Sequence, residues 1–257
     1  MITKIHIPTT DIKLGRHINH DSRSLNYIFH PRAKTITSVT QPRHIGILDQ
    51  GQIGSCTGNA GIGALATDPL FSTMNSSSKY SLNESGALKL YSDAETIDGD
   101  GPYPPNDNGS SGLSIAKALK TAGLISSYQH VFNSNSALLS LAQYPILFGT
   151  YWYSAMFTPD TDGRVHPSGT IVGGHEIVAR QIDAPNQRIW FDNSWGTSWG
   201  VQGRFYLTFA DFNTLMQQQG DIIVLIPTTT APAPTPPPTA DQILAAAMKT
   251  WLAAKGL

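Results

Sequence analysis

From Pro145 to Ile226 the chain is a succession of short strand-like runs, and this texture narrows the fold more than any other feature. PILFGTYW, HEIVARQI, QRIWFDN, GRFYLTFA and DIIVLI are rich in β-branched and aromatic residues and are set apart by Gly, Pro, Asn or Asp. Runs of that length with that punctuation read as strands joined by turns. The chain before them has a different character. Cys56 to Thr67, CTGNAGIGALAT, is small and apolar enough for a buried helix, ended near Pro69 because the residue before a proline avoids the α region. Leu82 to Ala94 and Ser114 to Ala122 carry helical spacing, the second closed by Gly123. Helices first and strands second predict an α+β fold whose segregated halves pack as two lobes.

Composition removes several functional classes. Lys and Arg number 17 against 18 Asp and Glu, a net charge of −1, which leaves no electrostatic footprint for nucleic acid or an anionic membrane. The longest strongly apolar run, Ile222 to Ile226, is far short of the roughly 20 residues needed to cross a bilayer. The opening MITKIHIP lacks the apolar core and small-residue cleavage site of a signal peptide. Cys56 is the sole cysteine, so an intrachain disulfide is impossible, and the reading favours a protein that is cytoplasmic or associated with a phage particle. One sharp shift falls at Pro227, where six of the twelve residues to Pro238 are proline and an extended, solvated spacer is expected. Beyond it, Ile243, Ala247 and Trp251 form one i, i+4 row and Leu244, Met248 and Leu252 the next. The expected organisation is therefore a globular domain over 1–226, a linker over 227–239, and an amphipathic docking helix over 240–257 that seeks a protein partner.

A lone thiol is a buried filler, a lone metal ligand or a nucleophile. As a nucleophile it needs a depressed pKa, a base within hydrogen-bond reach and a group that orients the base. Cys56 stands at the predicted start of a helix, whose unpaired amides favour a thiolate, and Gly54 and Ser55 beside it let a substrate backbone approach. His175 enters a strand directly after Gly173 and Gly174, which leave one side of the imidazole uncrowded. Asn193 follows a strand and opens NSWGTSWGVQGRF; its amide can accept from the distal ring N–H and fix the tautomer, with Trp195 as a shield from water. Each residue alone also has a plain structural reading: a small helix residue, a strand histidine, an Asn-Gly turn with two core tryptophans.

Together the blocks resemble the papain family of cysteine peptidases. Gln50 to Cys56, QGQIGSC, is similar to that family's Gln-Gly-x-Cys-Gly-Ser-Cys nucleophile motif at the same spacing. GGHEIVARQID resembles its Gly-His-Ala-Val block, and NSWGTSWGVQGRFYL its Asn-Ser-Trp-Gly-x-x-Trp-Gly block nearly residue for residue. DNGSSGLSIAKALKTAGL is similar to a first-lobe segment of bacterial and phage members, so the likeness spans roughly residues 21–226. The resemblance implies a papain-like fold: a helical lobe, a lobe with an antiparallel β-barrel-like sheet, and a cleft between them. It implies Cys56 as nucleophile, His175 as acid/base, Asn193 as its orienter, and Gln50 as an oxyanion donor beside the Cys56 amide. Gly54, Ser55, Gly174 and Trp195 become substrate-binding candidates, with a peptide or protein as substrate. No metal or organic cofactor is implied. A scaffold role in a larger assembly such as a phage particle, docked through 240–257, is the alternative.

Three departures accompany the likeness. Ile53 replaces the first motif cysteine, and Thr57 stands where a Trp usually follows the nucleophile. Only 49 residues precede Gln50, too few for the long inhibitory propeptide of many members, so any restraint on activity is expected to come from elsewhere. Asp98-Gly99-Asp100-Gly101 reads as a turn-rich loop, since the late acidic residue of a calcium loop falls on Gly109, and His17 and His20 lack partners at zinc spacing.

Overall fold

A computed structural model describes residues 12–74 and 79–228. The spacer from residue 229 and the expected helix over 240–257 lie outside the described residues. The helices are α1 (Cys56–Leu65), α2 (Leu70–Thr73), α3 (Glu84–Asp98), α4 (Gly112–Thr121), α5 (Ser134–Ser140) and α6 (Phe209–Gln217). The strands are β1 (Val39–Thr40), β2 (Ser127–Val131), β3 (Ile146–Tyr153), β4 (Ile171–Asp183), β5 (Arg188–Asp192), β6 (Arg204–Thr208) and β7 (Asp221–Ile226).

The strands form one antiparallel sheet in the order β2-β7-β3-β4-β5-β6, with the short β1 added on β4. The expected barrel does not close, since β2 and β6 end the order and are not paired with each other. Strand periodicity explains why the sheet is covered twice. Phe148, Ile177, Ala179, Ile222 and Val224 join one core with Phe212 and Leu215 of α6 and Leu138 of α5. Their neighbours Leu147, Val178, Ile223 and Leu225 point the other way, into a core with Ile62 and Leu65 of α1, Leu90 of α3 and Ile115 of α4. Apolar residues on both faces are what a strand buried on both sides requires. The two halves read from the sequence are thus a helical layer and an aromatic layer sharing one sheet.

Several boundaries differ from the sequence reading. The run GRFYLTFA leaves the strand at Thr208, whose hydroxyl accepts from the Asp211 N–H at 3.1 Å and caps α6. Strand β4 begins at Ile171, four residues before His175, so Gly173 and Gly174 lie within the strand rather than ahead of it. Helix α3 runs on to Asp98 and closes on Gly99 at φ +87°. The Asp98 carboxylate then accepts from Ser110 and Ser114, both at 2.6 Å, and ties the end of α3 to the start of α4.

Asp192, at the end of β5, fixes where the strand delivers its next residue. Its buried carboxylate accepts from Arg180 at 2.7 Å, Arg204 at 3.0 Å and Arg43 at 3.2 Å. Arg43 also donates to the carbonyls of Ile45 and Gly46, so the cluster joins the segment before α1 to the sheet. Removing one partner of such a group leaves cations buried without their counter-charge. Asp192→Ala should therefore lower unfolding free energy by about 3–5 kcal/mol, measured by urea denaturation.

Candidate functional site

Helix α1 opens on Cys56, which is fully buried. Ser55, the residue before it, makes no side-chain cap; instead Asn59 Nδ2 donates to the Ser55 carbonyl at 2.9 Å and to its hydroxyl at 3.1 Å. His175 lies within β4, and adjacent strand residues face opposite ways. Its ring therefore enters the aromatic layer, stacked on Trp195 at 4.8 Å and edge-on to Trp152 at 4.9 Å between centroids. His175 Nε2 meets Asn193 Oδ1 at 2.7 Å. That oxygen is an acceptor, and the Ser194 N–H also donates to it at 2.8 Å, so the ring nitrogen facing it carries the proton. Nδ1 is left buried without a hydrogen-bond partner among the described residues.

Gln50 is brought to the same place by pairing of its loop with the one after β5. The Gln50 N–H donates to the Ser194 carbonyl at 2.9 Å, the Gly196 N–H to the Leu48 carbonyl at 3.1 Å, and the Ser194 hydroxyl to Gln50 Oε1 at 2.7 Å. The Gln50 amide nitrogen thus points away from Ser194, and it donates to the carbonyls of Ile53 and Lys13, both at 2.8 Å.

Lys13 belongs to a segment that the sequence reading did not assign to the site. Residues 13–17 pass between the loop before α1, the loop before α4, and β4. The Ser110 N–H donates to the Gly15 carbonyl at 2.8 Å, the His17 N–H to the Ser110 carbonyl at 2.7 Å, and the Arg16 N–H to the Gly174 carbonyl at 3.0 Å. Lys13 Nζ adds an ion pair to Asp107 at 2.5 Å. The glycines are explained by this passage. A Cβ at Gly15 would lie 1.8 Å from the Gly54 carbonyl oxygen, one at Gly174 2.4 Å from the Arg16 carbonyl oxygen, and one at Gly173 2.8 Å from Leu14. Glycines inside β4 mark a close backbone approach, and that was the available signal in the sequence.

Burial pushes Cys56 up to about 12, against backbone hydrogen bonds from Glu176, Gly15 and Thr57 that pull it down. Burial likewise lowers His175 to about 4, opposed by its bond to Asn193. Both groups are neutral near pH 7. The sequence reading expects a hydrogen bond between Cys56 and His175; with Nδ1 unpartnered, it is not made in this arrangement. Of the four substrate-binding candidates, Gly54 and Gly174 line the segment's path. Ser55 is engaged inside α1, and Trp195 covers the ring of His175.

No protein-family model matches the chain, and no curated protein matches it. Solved structures do. Xylellain, a cysteine protease from Xylella fastidiosa, superposes with a TM-score of 0.68 at 18 % identity, covering 87 % of this chain and all of that one (100 %). Procathepsin B from Trypanosoma congolense gives 0.58 at 13 % identity over 84 % of this chain and 83 % of its own. Procathepsin L 3 of Tenebrio molitor larval midgut gives 0.57 at 12 % identity over 77 % and 73 %. The chain therefore has the papain-like cysteine protease fold.

The raised thiol pKa has a direct consequence. A group held at about 12 is protonated at lower pH, so alkylation of the full chain by iodoacetamide should climb about tenfold per pH unit from 7 to 10 without levelling off. Gly15→Val, whose side chain cannot share space with the Gly54 carbonyl, should displace the segment and hydrate the sulfur. Its alkylation should be at least about tenfold faster at pH 8 and level off near 9 or below, as read by mass spectrometry.

Proposed function

We propose that the protein is a papain-like cysteine peptidase, described here in a closed, self-blocked state. The observation that carries the reading is the 2.7 Å pairing of His175 Nε2 with Asn193 Oδ1, which leaves Nδ1 as the proton-accepting nitrogen. With the cleft cleared, His175 Nδ1 takes the Cys56 proton and the sulfur bonds to the peptide carbonyl carbon. The carbonyl oxygen gains the electron pair, held by the Gln50 amide and the Cys56 N–H. The carbon–nitrogen bond then breaks, and the leaving amine receives the proton from His175. Water gives a proton to Nδ1, attacks the thioester and releases the acid, restoring the thiol. Asn193 holds the imidazole through both steps, and Trp195 and Trp152 keep water from that hydrogen bond.

Residues 13–17 supply the restraint: they occupy the oxyanion donor and the wall of β4 at once, so substrate entry requires their departure. Gln50 and Gly174 cannot serve both.

Turnover of a fluorogenic peptide library by the Gly15→Val protein tests this. Activity should exceed that of the parent chain, and Cys56→Ala in the same background should abolish it. Gln50→Ala should lower kcat by about 100-fold, and Asn193→Ala should leave a slow residual rate, because orientation rather than proton transfer is lost. Cleavage that persists without Cys56 would sink the mechanism.

The tail is a separate proposal, read from the apolar rows of 240–257. That stretch docks the enzyme onto another protein. Deleting residues 229–257 should leave peptidase activity and melting temperature within error while removing association in pull-down and light-scattering measurements. A parallel loss of activity would place the tail on the catalytic domain instead.

A further inference from the structure

The peptide unit between Ile53 and Gly54 is held from both ends. Its carbonyl accepts from Gln50 Nε2 at 2.8 Å, and its N–H donates to Asp107 Oδ1 at 2.9 Å. An amide unit is planar and stiff, so holding the N–H also sets the direction of the carbonyl. That carbonyl takes one of the two hydrogens on the Gln50 amide nitrogen. The other goes to the Lys13 carbonyl at 2.8 Å. When residues 13–17 leave the cleft, the second hydrogen is freed while the first stays on Ile53, and Gln50 keeps its aim.

Asp107 is itself fixed. Tyr91 of α3 is fully buried; it donates to Asp107 Oδ1 at 2.8 Å and accepts from the Gly109 N–H at 2.8 Å. Glu95, one turn further along α3, places Oε1 2.9 Å from the same phenol and accepts there from the Asn108 N–H at 2.7 Å. The phenol has a single proton to give. With that proton on Asp107, the Glu95 contact uses a proton of Glu95's own, and burial pushes that carboxyl up. Helix α3 and residues 107–109 thus present one carboxylate to the loop before α1. A chain with a single cysteine has no disulfide to brace that loop, and the Asp107 carboxylate braces it instead.

The same carboxylate faces the blocking segment. Lys13 Nζ donates to Asp107 Oδ2 at 2.5 Å and to the Asp107 carbonyl at 2.6 Å. Lys13 therefore grips both partners of the Ile53–Gly54 peptide, its carbonyl on Gln50 and its ammonium on Asp107. We propose that Asp107 is a positioning residue for the oxyanion donor, acting on Gln50 through the Ile53–Gly54 peptide, and that Lys13 holds the closed state by engaging Asp107 and Gln50 together. Oδ1 aims the donor, and Oδ2 secures the segment.

The role rests on the peptidase reading, so one arm of the test needs no turnover. In the full chain, Lys13→Met and Asp107→Asn each remove the ion pair, and alkylation of Cys56 by iodoacetamide at pH 8 should quicken about threefold in both. The other arm is turnover of the best-cleaved fluorogenic peptide by the Gly15→Val protein, in which the segment is already displaced. There Asp107→Ala should lower kcat about tenfold with KM within about twofold. Asp107→Asn, whose amide oxygen still accepts from Gly54 and Tyr91, should keep kcat within about threefold of the Gly15→Val parent. With Gln50→Ala also present, the loss from Asp107→Ala should shrink below about twofold, because the group that Asp107 aims is gone. Should Asp107→Ala not fold, Asp107→Glu, which sets the acceptor one methylene further out, is measured in its place with the same expected losses. An undiminished loss in the absence of Gln50, or Asp107→Asn as slow as Asp107→Ala, overturns the positioning role and leaves the peptidase standing. Unchanged alkylation of Lys13→Met overturns the hold on the segment. No cleavage of any peptide, with alkylation quickened as expected, overturns the peptidase and with it the aiming of Gln50.

Discussion

Strand β4 is hydrogen-bonded along both edges and buried on both faces, and the positions of the functional groups follow from that. It pairs with β3 and β1 along one edge and with β5 along the other, while α1 packs against it. Consecutive residues of such a strand must serve different layers. His175 faces the tryptophans and Asn193; Glu176 faces α4 and the guanidinium of Arg16. One peptide unit separates the proposed base from a buried carboxyl, and neither can be turned over without exchanging the two cores.

The cleft is filled by backbone as much as by side chain. Gly15 against Gly54 and Arg16 against Gly174 are contacts between main chains, possible only where Cβ atoms are missing. The amides of Arg16 and His17 and the carbonyl of Gly15 are matched by groups on both walls, so these backbone groups of the segment are satisfied. With water excluded, thiol and imidazole are both neutral, and the ion pair that activates a cysteine does not form. On the proposed reading, the same contacts that complete the fold around the cleft quench its chemistry.

The five late strand runs and the helix at Cys56 were legible because local periodicity and turn residues point the same way there. Gln50, Cys56, His175 and Asn193 were legible as candidates because each sits in a short block whose glycines and tryptophans carry information of their own. β2 and α5 carry no such signature: SYQHV is half polar, and SNSALLS is barely two turns long. The end of β6 was misread because Phe209 suits a strand until Thr208 caps the following turn. The segment 13–17 was out of reach for another reason. Arg16 donates to Asp221, 205 positions further along the chain, and nothing in the run KLGRH signals where it will lie.

On the proposed reading, residues 13–17 compete with substrate as a tethered ligand does, because they and the cleft are parts of one molecule. A short connection holds such a ligand at an effective concentration on the order of millimolar, independent of how dilute the protein is. Dilution, which dissociates a separate inhibitor, leaves this one in place. A single cut in the chain after residue 17 changes the arithmetic completely. The severed peptide falls to the concentration of the protein itself, and a reversible block becomes a one-way release.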